Sequence, residues 1–329
     1  MNVPSSGITP APSAAAAALS TAESLYGGIE AGGTKFICAL GNGRGEILHE
    51  ARIDTQDPAM TLAPVFRFFD AAETQFGPIK AFGVAAFGPL ELRRESPRYG
   101  FITNTPKPGW ANTDLLGIVQ REVRRPVGFD TDVNGAALAE WRWGAGQQLE
   151  SLVYVTVGTG IGAGVIHHGR PVHGLMHPEI GHIYVRRYPG DTEFAGICPF
   201  HGDCLEGLAC GPAILARTGH ALSQAGSSDA IWEIEADYLG QLCAQLVLMH
   251  SPQRIFLGGG VMHHARLFTG IRARMQHWLN GYVPHDELQA ADYITPPGLG
   301  SATGIRGALA LAIDSANLVT CADESHPNN

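Results

Sequence analysis

The chain has 329 residues, 45% of them hydrophobic, and it carries 31 acidic against 22 basic side chains. This length suits two domains with sizeable cores. The net charge of −9 disfavours nucleic acid or an anionic membrane as a partner, because both attract basic proteins. No apolar segment reaches the length of a membrane span. The 42 glycines, several of them clustered, indicate tight turns or a backbone that lies close to a ligand.

The two ends of the chain differ in composition from the rest. Residues 1–25 are rich in Ala, Ser and Pro and lack the basic start of a secretory signal, so a disordered leader is predicted. Residues 317–329 are predicted to form a polar tail. Most of the six cysteines stand alone in sequence, which favours reduced thiols and the cytoplasm as the compartment.

The predicted elements begin at Tyr26 with three short strands separated by Gly-rich turns. The same strand, Gly turn and strand return near the middle of the chain, which indicates one supersecondary unit used twice. We therefore predict two α/β domains, over 26–130 and 131–300, with the last helix completing the first domain. Helical spacing of apolar residues predicts the helices 61–76, 113–123, 134–144, 211–223, 229–250, 262–279 and 301–316.

Two glycine loops, EAGGTK and GTGIGAG, superficially match phosphate-binding motifs. The P-loop and the dinucleotide fingerprint both need a helix after the glycines, whereas a strand follows each loop here. A Gly-rich hairpin turn can still donate backbone N–H groups to phosphate oxygens; alternatively, the glycines only supply the positive φ of hairpin turns. A third cluster, Gly258 to Gly260 after the strand RIFL, shifts the interpretation towards nucleotide binding.

Asp130 and Asp132 lie where a predicted strand gives way to a helix. Either could be a helix N-cap, as could Asn134. The functional alternative is a general base, because an Asp that accepts the proton of the acceptor hydroxyl recurs in kinases. Asp132 directly precedes the helix and is the predicted base, with Asp130 as its supporting neighbour.

The segment 177–206 concentrates metal-binding side chains. Cys198, His201 and Cys204 have the spacing C-x2-H-x2-C, and His182 is the predicted fourth ligand. Two thiolates and two neutral imidazoles cancel the charge of Zn²⁺, and four protein ligands leave no open position, so a structural zinc is predicted. His177 precedes a proline that restricts it to extended geometry, and it is predicted to stay outside the site.

Five segments, in this order, resemble the ROK (repressor, open reading frame, kinase) family of sugar kinases: GGIEAGGTKF, DTDVNGAALAE, TVGTGIGAGVI, HPEIGH with CPFHGDCLEG, and IFLGGGVM. The resemblance spans residues 26–315. It is closest to the zinc-containing bacterial fructokinases, because C-P-x-H-x-x-C stands where most glucokinases and repressors of the family carry C-x-C-G-x-x-G-C. The repressors also need a DNA-binding region before the kinase core, and the leader is expected to be too short for one.

The resemblance implies an actin-like ATPase (ribonuclease H-like) fold whose two α/β domains close over a cleft. It implies that Asp132 is the base and that Glu179, His182 and Glu206 surround the sugar. Asn104 is a further expected sugar contact, although ITNTPKPGW departs from the pattern of glucose-specific members. The implied zinc ligands are His182, Cys198, His201 and Cys204. The implied nucleotide contacts are Gly32, Gly33, Thr34, Lys35, Gly158, Thr159, Gly160, Gly162, Pro212, Gly258, Gly259, Gly260, Val261 and Met262.

The expected function is phosphorylation of D-fructose to fructose 6-phosphate, with ATP and Mg²⁺ as cofactors and a structural Zn²⁺. A cytoplasmic homodimer that acts on small molecules, and not on nucleic acid or membranes, is expected. Two alternatives stay open: a gluco- or mannokinase of broad specificity, and a non-catalytic sugar-sensing regulator of the same family. A zinc-binding interaction module is a third, but it leaves the glycine loops unexplained.

Overall fold

The structure is a computed structural model that describes residues 24–324, with side chains as far as residue 318. The predicted leader therefore lies outside the described residues, except at its last positions, where the first strand already begins at Leu25. The strands β1 to β12 cover Leu25–Ala31, Lys35–Asn42, Ile47–Asp54, Ile79–Ala86, Phe101–Ile102, Thr113–Asp114, Val127–Thr131, Ser151–Val157, Ile161–His167, Arg170–Pro171, Arg254–Gly258 and Ile294–Thr295. The helices α1 to α8 cover Pro58–Phe76, Leu115–Val123, Asp132–Trp143, Leu205–Ala209, Gly211–Thr218, Ile231–His250, Ala265–Leu279 and Thr303–Glu324.

Two sheets of the same design form the frame of the molecule. The first has the strand order β3-β2-β1-β4-β7, and the second has the order β10-β9-β8-β11-β12. In each, the strand at the centre pairs antiparallel with the strand that follows it in sequence and parallel with a later strand. The repeat predicted from the two glycine hairpins is confirmed, because β1–β2 and β8–β9 are equivalent hairpins at the centres of the two sheets.

The helices α3 and α8 lie between the two sheets. Their buried side chains form one apolar cluster with residues of β2 and β4 on one side and of β8, β9 and β11 on the other. The two helices cross at Gly135 and Gly307, where a Cβ on Gly307 would overlap the backbone of Gly135. The absence of side chains at this crossing lets the backbones touch, so α8, the last helix, binds the two halves of the chain together.

The last helix is longer than predicted. The sequence predicted a helix over 301–316 and a polar tail from residue 317, whereas α8 continues to Glu324. The segment after residue 307 is rich in Ala and Leu and contains neither Gly nor Pro before its end, so nothing in it interrupts helical hydrogen bonding. The predicted tail is therefore wrong as far as residue 324.

Two further differences concern the neighbourhood of the metal-binding segment. The segment HIYVRR forms no strand, because a short 3-10 turn over Ile180–His182 leads into irregular chain. The helix predicted over 211–223 ends at Thr218, because Gly219 adopts φ +80 and its N–H closes the last turn onto Leu215 O.

No helix within residues 24–324 is long and apolar enough to cross a bilayer.

Candidate active site

A cavity of about 430 Å³ opens between the two halves of the chain. It lies at the carboxyl ends of the parallel strands, the position where open α/β sheets bind their ligands. The cavity wall combines the first glycine hairpin, the start of α3, the end of β11 and the start of α8. Its polar lining includes Glu30, Lys35, Asp132, Thr156 and Thr303.

The first glycine hairpin projects its turn towards solvent at the cavity mouth. Gly32 N–H donates to Lys35 O at 3.1 Å, and the Thr55 hydroxyl donates to Gly32 O at 2.7 Å. A Cβ at Gly33 would meet no neighbouring atom within 4 Å. Gly33 and Thr34 are exposed, and Lys35 lines the cavity. The turn therefore leaves backbone and a cation available to an anion at this mouth.

The second glycine hairpin contacts the metal-binding segment. Gly158 N–H donates to Gly160 O at 2.9 Å, and Gly211 N–H donates to Gly158 O at 2.8 Å, which places Pro212 and the start of α5 beside the turn. Ile161 N–H donates to a carboxylate oxygen of Glu206 at 2.9 Å. A Cβ at Gly160 would lie only 2.6 Å from that same oxygen, so the glycine makes room for the carboxylate.

The third glycine cluster lies at the end of β11. Gly259 has φ +89, and a Cβ there would overlap the Val157 carbonyl oxygen, so no other residue fits without strain. Gly258, Gly260 and Met262 line the cavity, while Val261 is buried beneath it. This arrangement offers a flat strip of backbone to a planar ligand.

Asp132 faces the cavity from the first turn of α3. The N-cap of this helix is Thr131, whose hydroxyl accepts from Asn134 N–H at 3.1 Å. The capping role considered for Asp130, Asp132 and Asn134 is therefore filled by another residue. Asp132 accepts from the neighbouring Val133 N–H, at 2.9 Å, and burial raises its pKa to about 6. A carboxylate with this pKa is ionised at neutral pH and is a stronger base than an ordinary Asp.

Asp130 belongs to a separate network behind the base. Its Oδ1 accepts from Thr131 N–H and from the Asn134 amide, each at 2.7 Å, and its Oδ2 lies 2.9 Å from His173 Nε2. This contact raises the pKa of His173. The sequence indicated a supporting role for Asp130 but gave no sign of His173, which comes from a loop about forty residues further along the chain.

Glu30 is a cavity residue that the sequence analysis missed. Burial, and then the charge of Asp132, raises the pKa of Glu30 to about 7. Its Oε2 is buried and has no hydrogen-bond partner among the described residues. A Cβ on Gly304 would overlap this carboxylate, so Gly304 provides its space. The available signal was an acid inside an otherwise apolar strand, directly before the glycine turn. Carboxylate oxygens are the ligands that Mg²⁺ prefers, and an unpartnered one at the cavity fits that ion.

The four predicted zinc ligands converge. One ligand atom from each of His182, Cys198, His201 and Cys204 lies within 4.8 Å of every other. His182 Nδ1 is 3.5 Å from Cys204 Sγ and 3.8 Å from Cys198 Sγ, and His201 Nδ1 is 3.6 Å from Cys198 Sγ. Zn–S and Zn–N bonds at tetrahedral angles require about 3.6 Å between sulfur and nitrogen. The spacing therefore fits a tetrahedral S2N2 site for Zn²⁺.

The metal cluster connects directly to the acids predicted to contact a substrate. His182 turns Nδ1 to the sulfurs, and its Nε2 lies 4.0 Å from Glu206 Oε1. Burial, together with the charges of Glu206 and Asp132, raises the pKa of Glu179 to about 7. His182 and Glu206 are thus neighbours, and the charges of Glu206 and of the predicted base both act on Glu179.

Asn104 is exposed on a loop of the N-terminal half. The preceding residue, Thr103, donates both its N–H, at 2.8 Å, and its hydroxyl, at 3.0 Å, to Pro89 O. This holds the loop against the segment 87–90, on the N-terminal side of the molecule. The sugar contact of Asn104 stays a prediction.

The acidic cavity has a testable pH dependence. We expect kcat/KM for the preferred substrate to fall as the pH drops below about 7, since Glu30 and Glu179 titrate there and Asp132 near 6. The roles expected of these acids, binding a cation, a hydroxyl or a proton, each require the ionised carboxylate. The measurement is a pH–rate profile from about pH 5 to about pH 8, the range in which such carboxylates titrate. In the Asp132→Asn variant, the residual rate should fall less steeply towards acidic pH. An unchanged fall would contradict a contribution of Asp132 to this pH dependence.

Two sheets with equivalent glycine hairpins, held together by two crossing helices around an acidic cleft, define the actin-like ATPase fold. The sequence profile of the ROK family matches residues 26–315, and the chain belongs to the ROK family. A putative fructokinase from Bacillus subtilis is 46% identical over 88% of this chain and 95% of its own length. A fructokinase from Zymomonas mobilis is 45% identical over 89% of this chain and 98% of its own length. Among solved structures, the ROK hexokinase from Thermus thermophilus is similar at 28% identity, with a TM-score of 0.71 over 91% of this chain and 99% of that one.

Proposed function

We propose that this protein is an ATP-dependent fructokinase that converts D-fructose to fructose 6-phosphate. The observation that carries the proposal is the position of Asp132, which lies in one cavity with the glycine hairpin at Lys35 and is electrostatically coupled to the Glu179 carboxylate. The names of relatives above 40% identity over most of the chain agree with this substrate.

The nucleotide is proposed to lie along the three glycine segments. The backbone of the two hairpin turns, with Lys35, faces the phosphates, and the strip at Gly258 to Gly260 faces the adenosine. Pro212 lies at the start of α5, beside the second turn. Phosphoryl transfer requires mainly positioning and charge stabilisation from a protein. The fixed backbone of these turns supplies both with little rearrangement.

The sugar is proposed to bind between Asp132 and the acids of the metal-binding segment. Glu179 and Glu206 accept hydrogen bonds from its hydroxyls, and His182 and Asn104 complete the site. The 6-hydroxyl donates its proton to Asp132 as its oxygen forms a bond to the γ-phosphorus of ATP. The bond between that phosphorus and the bridging oxygen breaks, and ADP leaves with the electron pair.

Two metal ions complete the proposal. Glu30 would hold Mg²⁺ near the phosphates, where the ion neutralises the charge of the transferring group. The Zn²⁺ held by two sulfurs and two nitrogens is structural, because it has no position left for water or substrate. Bound there, it would fix His182, whose Nε2 lies 4.0 Å from Glu206 Oε1, and through this residue the carboxylate of Glu206, since an acid beside the outer nitrogen of a metal-bound histidine commonly orients the ring.

The protein is proposed to act as a cytoplasmic homodimer. The five described cysteines are buried and form no disulfide, which agrees with the reducing cytoplasm. Its partners are a sugar and ATP, and the acidic net charge of −9 opposes binding to nucleic acid or an anionic surface. Light scattering of the purified protein measures the oligomeric state directly.

The preference for fructose is the test of this proposal. Fructose and glucose differ in where their carbonyl carbon and hydroxyls lie, so the wrong sugar leaves an oxygen of Glu179 or Glu206, both half-buried side chains, covered by the substrate but unpaired. Each such loss costs about 1–3 kcal/mol, roughly ten- to hundred-fold in specificity. We expect kcat/KM to be higher for fructose than for mannose or glucose in a coupled ADP-release assay. A glucose value equal to or above that for fructose would leave a sugar kinase but contradict a fructokinase.

The same assay addresses the alternatives. Similar values for all three hexoses would support a kinase of broad specificity. Sugar binding by calorimetry, without turnover of any hexose, would support the non-catalytic regulator.

A further inference from the structure

His177 contacts both halves of the molecule, although the sequence predicted only that it stays outside the metal site. Its side chain is 4% exposed. The Nε2 atom accepts a hydrogen bond from Leu90 N–H at 3.0 Å, and Nδ1 lies 3.5 Å from Glu179 Oε1. One buried imidazole therefore bridges a backbone amide of the N-terminal half and a carboxylate of the proposed sugar site.

The segment that His177 contacts, residues 87–90, is held at two other points, one of them in the first sheet. Phe87 N–H donates to Ala31 O at 2.9 Å, immediately after Glu30 and before the first glycine turn, and Thr103 N–H donates to Pro89 O at 2.8 Å. A Cβ on Gly88 would lie 3.4 Å from His177 Cε1, so the ring packs directly against this segment. Its position is thus tied to the phosphate-facing hairpin and to the loop of Asn104.

The protonation state of His177 follows from its neighbours. Burial lowers its pKa most; the carboxylate of Asp130 acts in the opposite direction, and His173 adds to the lowering. The imidazole is therefore neutral at neutral pH. Because Nε2 accepts from Leu90, the single proton is on Nδ1, which faces Glu179 and the Pro178 carbonyl. A proton on Nε2 would place this N–H against the Leu90 N–H, with no acceptor between the two donors.

We propose that His177 is a positioning residue for sugar binding: it locks the segment 87–90 to the C-terminal half and orients the Glu179 carboxylate towards the substrate. The proposal rests on the proposed role of Glu179 as a sugar ligand. It assigns no contact with ATP and no metal bond to His177. Without His177, the Leu90 N–H loses its acceptor and Glu179 loses the imidazole nitrogen that lies 3.5 Å from its Oε1.

The test compares two variants of nearly equal shape, His177→Gln and His177→Met. The glutamine amide can accept from Leu90 and donate towards Glu179, whereas the methionine sulfur is only a weak acceptor and cannot donate. We expect the KM for fructose to rise about ten-fold in His177→Met, the ratio expected for a lost buried hydrogen bond, and most of this rise to be absent in His177→Gln. The KM for ATP and the zinc content should match the parent in both variants.

Equal fructose KM values in the two variants would overturn the proposal, as would an equal rise in the KM for ATP, or loss of zinc from the methionine variant. Hydrogen exchange of the Leu90 amide tests the contact without relying on turnover. Strong protection in the parent and its loss in His177→Met are expected, and an unprotected amide in the parent would refute the contact even where the methionine variant fails to fold. A protein that phosphorylates no sugar would refute the proposed function, and the exchange measurement would still decide the contact.

Discussion

Asp132→Asn is expected to lower kcat by about 10²–10⁴-fold, the usual contribution of a general base. The amide has nearly the same shape but cannot accept the hydroxyl proton at neutral pH. The binding of fructose and ATP, measured by calorimetry, should change little, because the glycine hairpins, Glu179 and Glu206 are untouched. The rate that remains reflects the positioning of the two substrates.

The same substitution is not expected to weaken the fold. The pKa of Asp132 is raised from 3.8 to about 6 in the folded protein, so its ionisation opposes folding, and this cost is fully present at neutral pH. The asparagine removes that cost, and thermal unfolding should occur at the parent temperature or above. Asp70→Asn, the same chemical change on the exposed face of α1, is the matched control and should retain parent activity. Turnover of Asp132→Asn within a few-fold of the parent would refute the assignment of the base.

Cys204→Ser should abolish tight zinc binding, whereas the parent protein should hold about one zinc per chain. The serine oxygen is a poor replacement for a thiolate, and the remaining three ligands leave a position open to water. Loss of the ion frees the turn of His182 and, with it, Glu206. The expected results are a lower unfolding temperature and a higher KM for fructose, with a smaller change in the KM for ATP.

Two controls separate the metal site from its surroundings. Cys210 is a buried thiol six residues from Cys204 and outside the cluster, and burial raises its pKa to about 11, so Cys210→Ser should keep the zinc. His177→Ala should also keep it, because His177 is hydrogen-bonded to Leu90, lies beside Glu179 and is outside the cluster. Elemental analysis decides between the ligand sets: zinc lost from His177→Ala and kept by His182→Ala would contradict the assignment.

The sequence predicted the features of this protein that depend on local pattern. A glycine-turned hairpin followed by a strand is visible in a few residues, and its repetition at residue 151 indicated two sheets of one design. The C-x2-H-x2-C spacing predicted three of the four side chains that converge in the His/Cys cluster, because side chains so close in sequence have little freedom to separate. The resemblance to the ROK family then supplied the fold and the expected substrate.

Features that depend on contacts between distant segments were decided by the tertiary structure. Thr131, and neither acid beside it, is the N-cap of α3. The direction in which the chain leaves β7 turns the Asp132 carboxylate to the cavity. In the sequence, Glu30 is a single acid in an apolar strand. In the folded protein the start of α8 covers this side chain, and the burial raises the pKa of Glu30.

The clearest case is the loop between β10 and the zinc ligands. His173 and His177 are ordinary residues in sequence, and their roles follow from partners 43 and 87 positions away, Asp130 and Leu90. Hydrogen bonds of this kind leave no periodic signal, since they require only that two surfaces meet. The sequence by itself thus determined the hairpins, the metal-binding segment and the family. Only the packing of α3 and α8 between the two sheets determined which acids face one cavity and which histidine joins the two sides of that cavity.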